Sequence, residues 1–276
     1  MKRRAAAGML WALCAAPLVW GGAARAQAEA AAGSVMRVET RGVSVPLYAS
    51  WRPDAVATLV LYSGGNGGYG PIGPNGWPSS QNFLVRSAQL FAAQPFNVVL
   101  VGLAPDLREL DGRARLGDSH AQDNQAIFKA IKARSPAPLW LVGTSMGTIS
   151  VAAAAIRDAG QGQGQGQGGD LAGIVLTSTV TAYKREGAVP TQDIGKIRVP
   201  VLVMHHLQDS CGICRPWEAK SLAGKLAGAP VTKTLLADGG SVPGGDPCGP
   251  LHYHGFIGME QQAVEQIANW IRHPVP

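Results

Sequence analysis

The chain has 276 residues, 46% of them hydrophobic and 15% charged, with a formal net charge of +6. That is long and apolar enough to bury a sizeable core, and the composition excludes a disordered chain or a nucleic-acid-binding tail. No basic patch points to a nucleic-acid partner.

Residues 1–26 read as a secretion signal. Lys2, Arg3 and Arg4 precede an apolar run from Ala5 to Gly22, broken by Pro17. Ala24-Arg25-Ala26 then supplies the small-x-small pattern that signal peptidase accepts, so the expected cut lies before Gln27. Ala28-Glu29-Ala30 is a second place for it, and a retained membrane anchor is the rival reading. Arg3-Arg4 is a twin arginine in a poorly matching context, and Cys14 follows Leu13 where a lipoprotein site needs a small residue. The cut removes four basic residues and no acid, bringing 24 basic residues to 20 against 18 acidic. It also leaves three cysteines, Cys211, Cys214 and Cys248, and an oxidising compartment favours one disulfide with one thiol over. The expectation is an exported protein, periplasmic or secreted, with residues 27–276 as one domain and no stable membrane insertion after cleavage.

Along that domain, short β-branched runs alternate with helix-like stretches. Residues 35–50 predict two antiparallel strands turned at Gly42, followed by a buried strand over Thr58–Ser63 that stops at a glycine cluster. Gln81–Ala93 has helical spacing, Asn97–Leu103 is a strand, and Asp118–Arg134 is a helix capped by Asp118 or Ser119. Pro138–Gly143 predicts a strand that runs directly into a helix over Gly147–Asp158. Residues 160–169 (GQGQGQGQGG) are low-complexity and read as an inert loop. Then come strands over Gly173–Thr177, Val199–His205 and Val231–Ala237, with helices over Pro216–Leu226 and Met259–Arg272. The pattern is α/β: a mostly parallel twisted sheet with helices on both faces. Only about twenty residues separate Ser178 from Pro200, too few for a large cap domain.

Gly143-Thr144-Ser145-Met146-Gly147 carries the strongest chemistry, a G-x-S-x-G sequence between a strand and a helix. A sharp turn there lifts the serine hydroxyl above the sheet edge, and the helix N-terminus faces developing negative charge. A serine hydroxyl needs a base, and the base needs a carboxylate to orient it. Asp209 lies just past the strand ending at His205, and His254 lies between the last strand and the terminal helix. Asp106, Asp238 and Asp246 compete for the acid role: Asp106 follows the wrong strand, and Asp238 is a modest alternative. His120 and His273 read as surface or capping residues, and His205 as packing.

From about Val35 to Ile271 the chain resembles the α/β-hydrolase superfamily, on the order Ser145, Asp209, His254, each in a loop after a different strand. The resemblance implies that Ser145 attacks, His254 acts as general base and then acid, and Asp209 holds the imidazole. It also implies an oxyanion hole from the backbone N–H groups of Met146 and Gly65, with Asn66 close behind. Ser63 stands where the family often has histidine before the glycines. The acid and histidine loops must then converge, so Cys211 or Cys214 would bond Cys248, Cys211 being preferred; such a staple is worth about 3 kcal/mol.

The 205–254 region supplies many zinc-ligand residue types, among them His205, His206, Cys211, Cys214, Cys248 and His252, at no compact zinc spacing. Cys211-Gly212-Ile213-Cys214 sits outside the context of a redox C-x-x-C. The expected activity is therefore cofactor-free and metal-free cleavage of a small-molecule ester or similar acyl bond. A non-catalytic binding protein on the same fold, or a metal or thiol site in the 205–254 cluster, is the alternative.

Overall fold

The computed structural model describes residues 32–161 and 169–276. The expected signal segment 1–26 and most of the glycine–glutamine run lie outside the described residues.

Among the described residues eight strands build one sheet: β1 Ser34–Thr40, β2 Val43–Ser50, β3 Ala57–Tyr62, β4 Phe96–Val101, β5 Leu139–Thr144, β6 Leu171–Thr177, β7 Val201–His206 and β8 Thr232–Ala237. Their order is β1-β2-β4-β3-β5-β6-β7-β8. β1 and β2 form an antiparallel hairpin whose two turn residues, Arg41 and Gly42, have φ of 39° and 79°. Positive φ at both positions is what a two-residue hairpin turn needs to match strand twist. β2 runs antiparallel to β4, and the other pairings are parallel.

The helices are α1 Phe83–Arg86, α2 Ala88–Ala93, α3 Gly112–Leu116, α4 Asp118–Arg134, α5 Gly147–Gln161, α6 Ala219–Gly224 and α7 Glu260–Arg272. They cover both faces of the sheet, so its inner strands are buried and mainly apolar, and sort their side chains with period two. Val60, Leu141 and Val203 join a core with residues of α4, α5 and α6. Leu59, Leu61, Val142 and Met204 join a second core with residues of α1, α2 and α7.

Three expected helices differ in detail. The Gln81–Ala93 stretch is broken at buried Ser87, whose φ of −94° and ψ of 1° end α1 and begin α2. α4 is capped by neither Asp118 nor Ser119: α3 ends one residue before Gly117, which fills the cap position and leaves both residues inside the helix. The Pro216–Leu226 segment opens as a 3-10 turn, Pro216–Glu218, and α6 ends at Gly224. The five-residue α3 is too short to show a period in sequence.

Strand order sets the place for chemistry. From β3 the chain moves outward to β4, then crosses back over β3 to β5. β3 and β5 are parallel neighbours, with Tyr62 opposite Gly143, and their following loops diverge to opposite sides. Such a switch point opens a crevice at the carboxyl ends of the strands. The glycine cluster after β3 and the serine turn after β5 form its two walls.

Candidate active site

Ser145 occupies the turn between β5 and α5 with φ of 51°, a left-handed conformation that costs a non-glycine residue of order 1 kcal/mol or more. The surroundings enforce it. Ser145 N–H donates to Thr177 O at 3.0 Å, and Ser145 O accepts from Thr148 N–H at 2.9 Å and Thr148 Oγ1 at 2.7 Å. The flanking glycines are required by close approach. A Cβ on Gly143 would stand 2.7 Å from Gly147 O, and one on Gly147 would stand 2.0 Å from Tyr62 O. Met146, at the head of α5, packs its side chain with Ile149, Val180, Cys211 and Cys214.

Asp209 and His254, 45 positions apart, meet in the structure. Asp209 is buried in the loop after β7; its Oδ1 accepts from Cys211 N–H at 2.9 Å, and its Oδ2 lies 2.9 Å from His254 Nδ1. Anchors on three other elements hold the histidine loop. Ser178 Oγ, after β6, donates to His254 O at 2.7 Å, and Arg86 Nη2 of α1 donates to Gly255 O at 2.6 Å. His206 stacks on Tyr253 with ring centroids 4.4 Å apart, while Phe256 packs on Phe83. Cys211 is disulfide-bonded to Cys248, joining the acid loop to the histidine loop across a sequence separation of 37.

These groups border one cavity of about 290 Å³, lined by Gly64, Gly65, Asn82, Ser145, Cys248 and His254 among others. His254 Nε2 is buried without a hydrogen-bond partner among the described residues, and Ser145 Oγ rests 3.9 Å from Cys214 Sγ. A larger cavity of about 480 Å³ between α4 and α5 contains none of Ser145, Asp209 or His254.

The opposite wall is the loop after β3. A Cβ on Gly64 would stand 2.8 Å from Ser145 Cβ, so glycine lets this loop lie against the serine turn. Gly65 has φ of 55°. Ser63, in place of the expected histidine, donates from Oγ to Gly68 O across the loop. Arg115 supports the same loop from below and has no obvious signature in sequence. Its guanidinium donates to Ser63 O at 3.2 Å, Gly65 O at 3.1 Å, Leu110 O at 2.9 Å and Ser150 Oγ at 2.9 Å. Burial lowers its pKa to about 10, which leaves it charged at neutral pH.

His120 is not at the surface as expected. It is buried on α4, with Nε2 3.0 Å from Ser150 Oγ and its ring edge-on to Tyr62. His205 is a packing residue that also holds backbone in place, since its Nε2 accepts from Thr179 N–H at 3.1 Å. Asp106 is committed elsewhere, paired with Arg41, which also binds Asp123. Asp238 and Asp246 are exposed loop residues that accept from nearby backbone N–H groups.

Two of the buried imidazoles, His205 and His120, predict acid lability. Burial, chiefly, lowers His205 to about 4; burial and then the Arg115 charge lower His120 to about 3. An unfolded histidine titrates near 6.5, so between about pH 6.5 and 4 the unfolded chain binds more protons than the folded one. Stability contributed by the neutral rings is complete above pH 6.5 and falls as pH drops, by up to about 1.4 kcal/mol per pH unit for each. Urea midpoints measured from pH 7 to 4 should fall steeply, and His205→Gln should flatten the slope.

No protein-family model matches the sequence, and no curated protein matches it. Solved structures do. An esterase from Pyrobaculum calidifontis superposes with a TM-score of 0.61 at 14% identity, covering 87% of this chain and 84% of that one. A thermostable carboxylesterase cloned from a metagenomic library gives 0.60 at 18%, covering 89% and 90%. An alpha-beta serine hydrolase homologue from Coxiella burnetii gives 0.55 at 11%, covering 87% and 96%. Taken with the strand order, the switch-point crevice and the helices on both faces, this likeness identifies the architecture: the chain has the α/β-hydrolase fold.

Proposed function

We propose that this chain is an exported serine hydrolase that cleaves small-molecule esters, or similar acyl bonds, through an acyl-enzyme. One observation carries the reading. His254 has Nδ1 engaged by Asp209 at 2.9 Å and Nε2 unpartnered, and it borders the same cavity as Ser145 on its strained turn. An imidazole held in this way is a base awaiting a proton.

Substrate binding would turn Ser145 Oγ from Cys214 toward His254 Nε2. As Oγ attacks the carbonyl carbon, its proton passes to Nε2, and Asp209 stabilises the imidazolium through Nδ1–H. The carbonyl oxygen becomes an oxyanion, accepting from the N–H groups of Met146 and Gly65. The helix N-terminus supplies further positive potential. Collapse breaks the bond to the alcohol, which leaves with the proton from Nε2. Water, deprotonated by the same nitrogen, then releases the acid and restores Ser145. The modest cavity, lined by small and polar groups such as Gly64, Ser80, Gln81 and Asn82, favours short polar acyl substrates over long chains.

A fluorophosphonate probe tests this on the processed protein beginning at Gln27. Mass spectrometry should locate the adduct on Ser145, and Ser145→Ala and His254→Ala should each abolish it. Absence of labelling in the folded protein would overturn the proposal. Cell fractionation of the expressed full chain, with the N-terminus of the product sequenced, tests export and the cut before Gln27.

A further inference from the structure

Cysteine spacing along the chain suggests no metal site, yet folding gathers the donors. Sulfurs of Cys211 and Cys214 and a ring nitrogen of His254 all lie within 4.8 Å of one another, and all three residues are buried. Cys248 Sγ, bonded to Cys211 Sγ, places a further sulfur beside these three. Among the described residues Cys214 is the unbonded cysteine, and His254 Nε2 is a buried nitrogen without a partner. The hydrolytic cycle uses that nitrogen and leaves the Cys214 thiol without a role.

We infer that reducing the Cys211–Cys248 disulfide converts this cluster into a site for one divalent thiophilic d10 ion, Zn²⁺ or its analogues. The ligands are the thiolates of Cys211, Cys214 and Cys248 with His254 Nε2. The bound ion takes the nitrogen that serves Ser145 and so silences the hydrolase. This last consequence rests on the proposed function; ion binding does not.

The geometry is close to what such an ion needs. Zinc–sulfur bonds of about 2.3 Å and zinc–nitrogen bonds of about 2.1 Å give tetrahedral donor separations of roughly 3.5–3.8 Å. The three donors within 4.8 Å therefore need shifts of about 1 Å, and the sulfurs of Cys211 and Cys248 must part from bonding distance to the same separation. Cys211 and Cys214 project from one turn, closed by Cys214 N–H on Cys211 O at 3.1 Å. Cys248 lies on an exposed stretch that can move once its bond is cut. Asp209 already stands behind His254, fixing the proton on Nδ1 and aiming the Nε2 lone pair, as carboxylates do behind zinc-binding histidines.

The oxidised protein offers two of the four donors, so the site exists in one redox state. The reductant is a thiol or a phosphine. A phosphine takes oxygen from water to become its oxide, and the two water protons pass to the sulfurs of Cys211 and Cys248. The ion then displaces three thiol protons into solvent.

The test uses the processed protein, reduced with a water-soluble phosphine, freed of it anaerobically and titrated with Cd²⁺. Thiolate-to-cadmium charge transfer should rise in the ultraviolet to a plateau at one ion per chain, and oxidised protein should show none. Cys214→Ser should lower the plateau by about a third and weaken binding at least tenfold; His254→Asn should keep the plateau and weaken binding. Fluorophosphonate labelling of the same sample should disappear as the ion is added and return with chelator. Three results would overturn the inference: no band in reduced protein of native near-ultraviolet dichroism, a band indifferent to Cys214→Ser, or a chain unfolded by reduction that the ion does not restore. A full band in a protein never labelled at Ser145 would sink the hydrolase reading and leave the metal site standing. Labelling without a band does the reverse.

Discussion

Asp209→Asn should lower kcat by about four orders of magnitude while leaving KM and the fold nearly unchanged. The reason lies in which oxygen does what. Asp209 Oδ1 accepts from Cys211 N–H at 2.9 Å, and Oδ2 faces His254 Nδ1 at 2.9 Å. An asparagine keeps its oxygen on the Cys211 N–H, because its amide NH₂ cannot accept there. The NH₂ is therefore forced toward Nδ1 and donates to it, driving the ring proton to Nε2. A protonated Nε2 cannot take the proton of Ser145. Steady-state kinetics with a chromogenic ester, beside circular dichroism and a urea midpoint, checks this. A loss under tenfold would mean that Asp209 is structural.

Arg115→Met should cost about 4 kcal/mol of stability and abolish labelling of Ser145 at temperatures where the variant is still folded. The side chain is 1% exposed, and among the described residues no carboxylate pairs with it within salt-bridge distance. Its charge is distributed over three backbone carbonyls and one hydroxyl, each losing its donor on substitution. An unsatisfied buried polar group costs about 1–3 kcal/mol, and relaxation of the loop recovers part of that. Two of the orphaned carbonyls, Ser63 O and Gly65 O, belong to the wall facing Ser145, so the relaxation displaces the backbone proposed to hold the oxyanion. Arg115→Lys should retain part of the stability, since an ammonium offers three donors from a point and cannot span a fork of acceptors. Denaturant titration and probe labelling on both variants separate the two effects. An Arg115→Met protein of unchanged midpoint would refute the supporting role of this side chain.

Much of this was legible in the sequence because its signals are local or periodic. Buried strands such as Ala57–Tyr62, Leu139–Thr144 and Val201–His206 show as short, mainly apolar runs between turn residues. Ser145 shows because its turn demands glycines two residues either side. Asp209 and His254 are legible only through their order along an already inferred sheet. Arg115 was not, since nothing local distinguishes it from exposed Arg113 two residues earlier: its partners are 5 to 52 positions away, supplied by folding. His120 was misplaced for the same reason. A polar residue on a helix reads as solvated until a partner such as Ser150, thirty positions on, is brought to it. The zinc-like donors failed as a sequence signal because their proximity comes from two loops meeting, a relation that ligand spacing does not encode.

The bond between Cys211 and Cys248 makes a covalent ring of the chain that contains α6 and β8. Its outermost arc includes Val242, 90% exposed, beside glycines at 239, 240, 244 and 245, where a protease gains ready access. A cut on that arc opens the ring without releasing a fragment, and Asp209 and His254 remain on pieces joined through sulfur. The oxidised molecule can therefore persist as a nicked, two-chain species with its site assembled, and a cut on that arc separates the two pieces only once the disulfide is reduced.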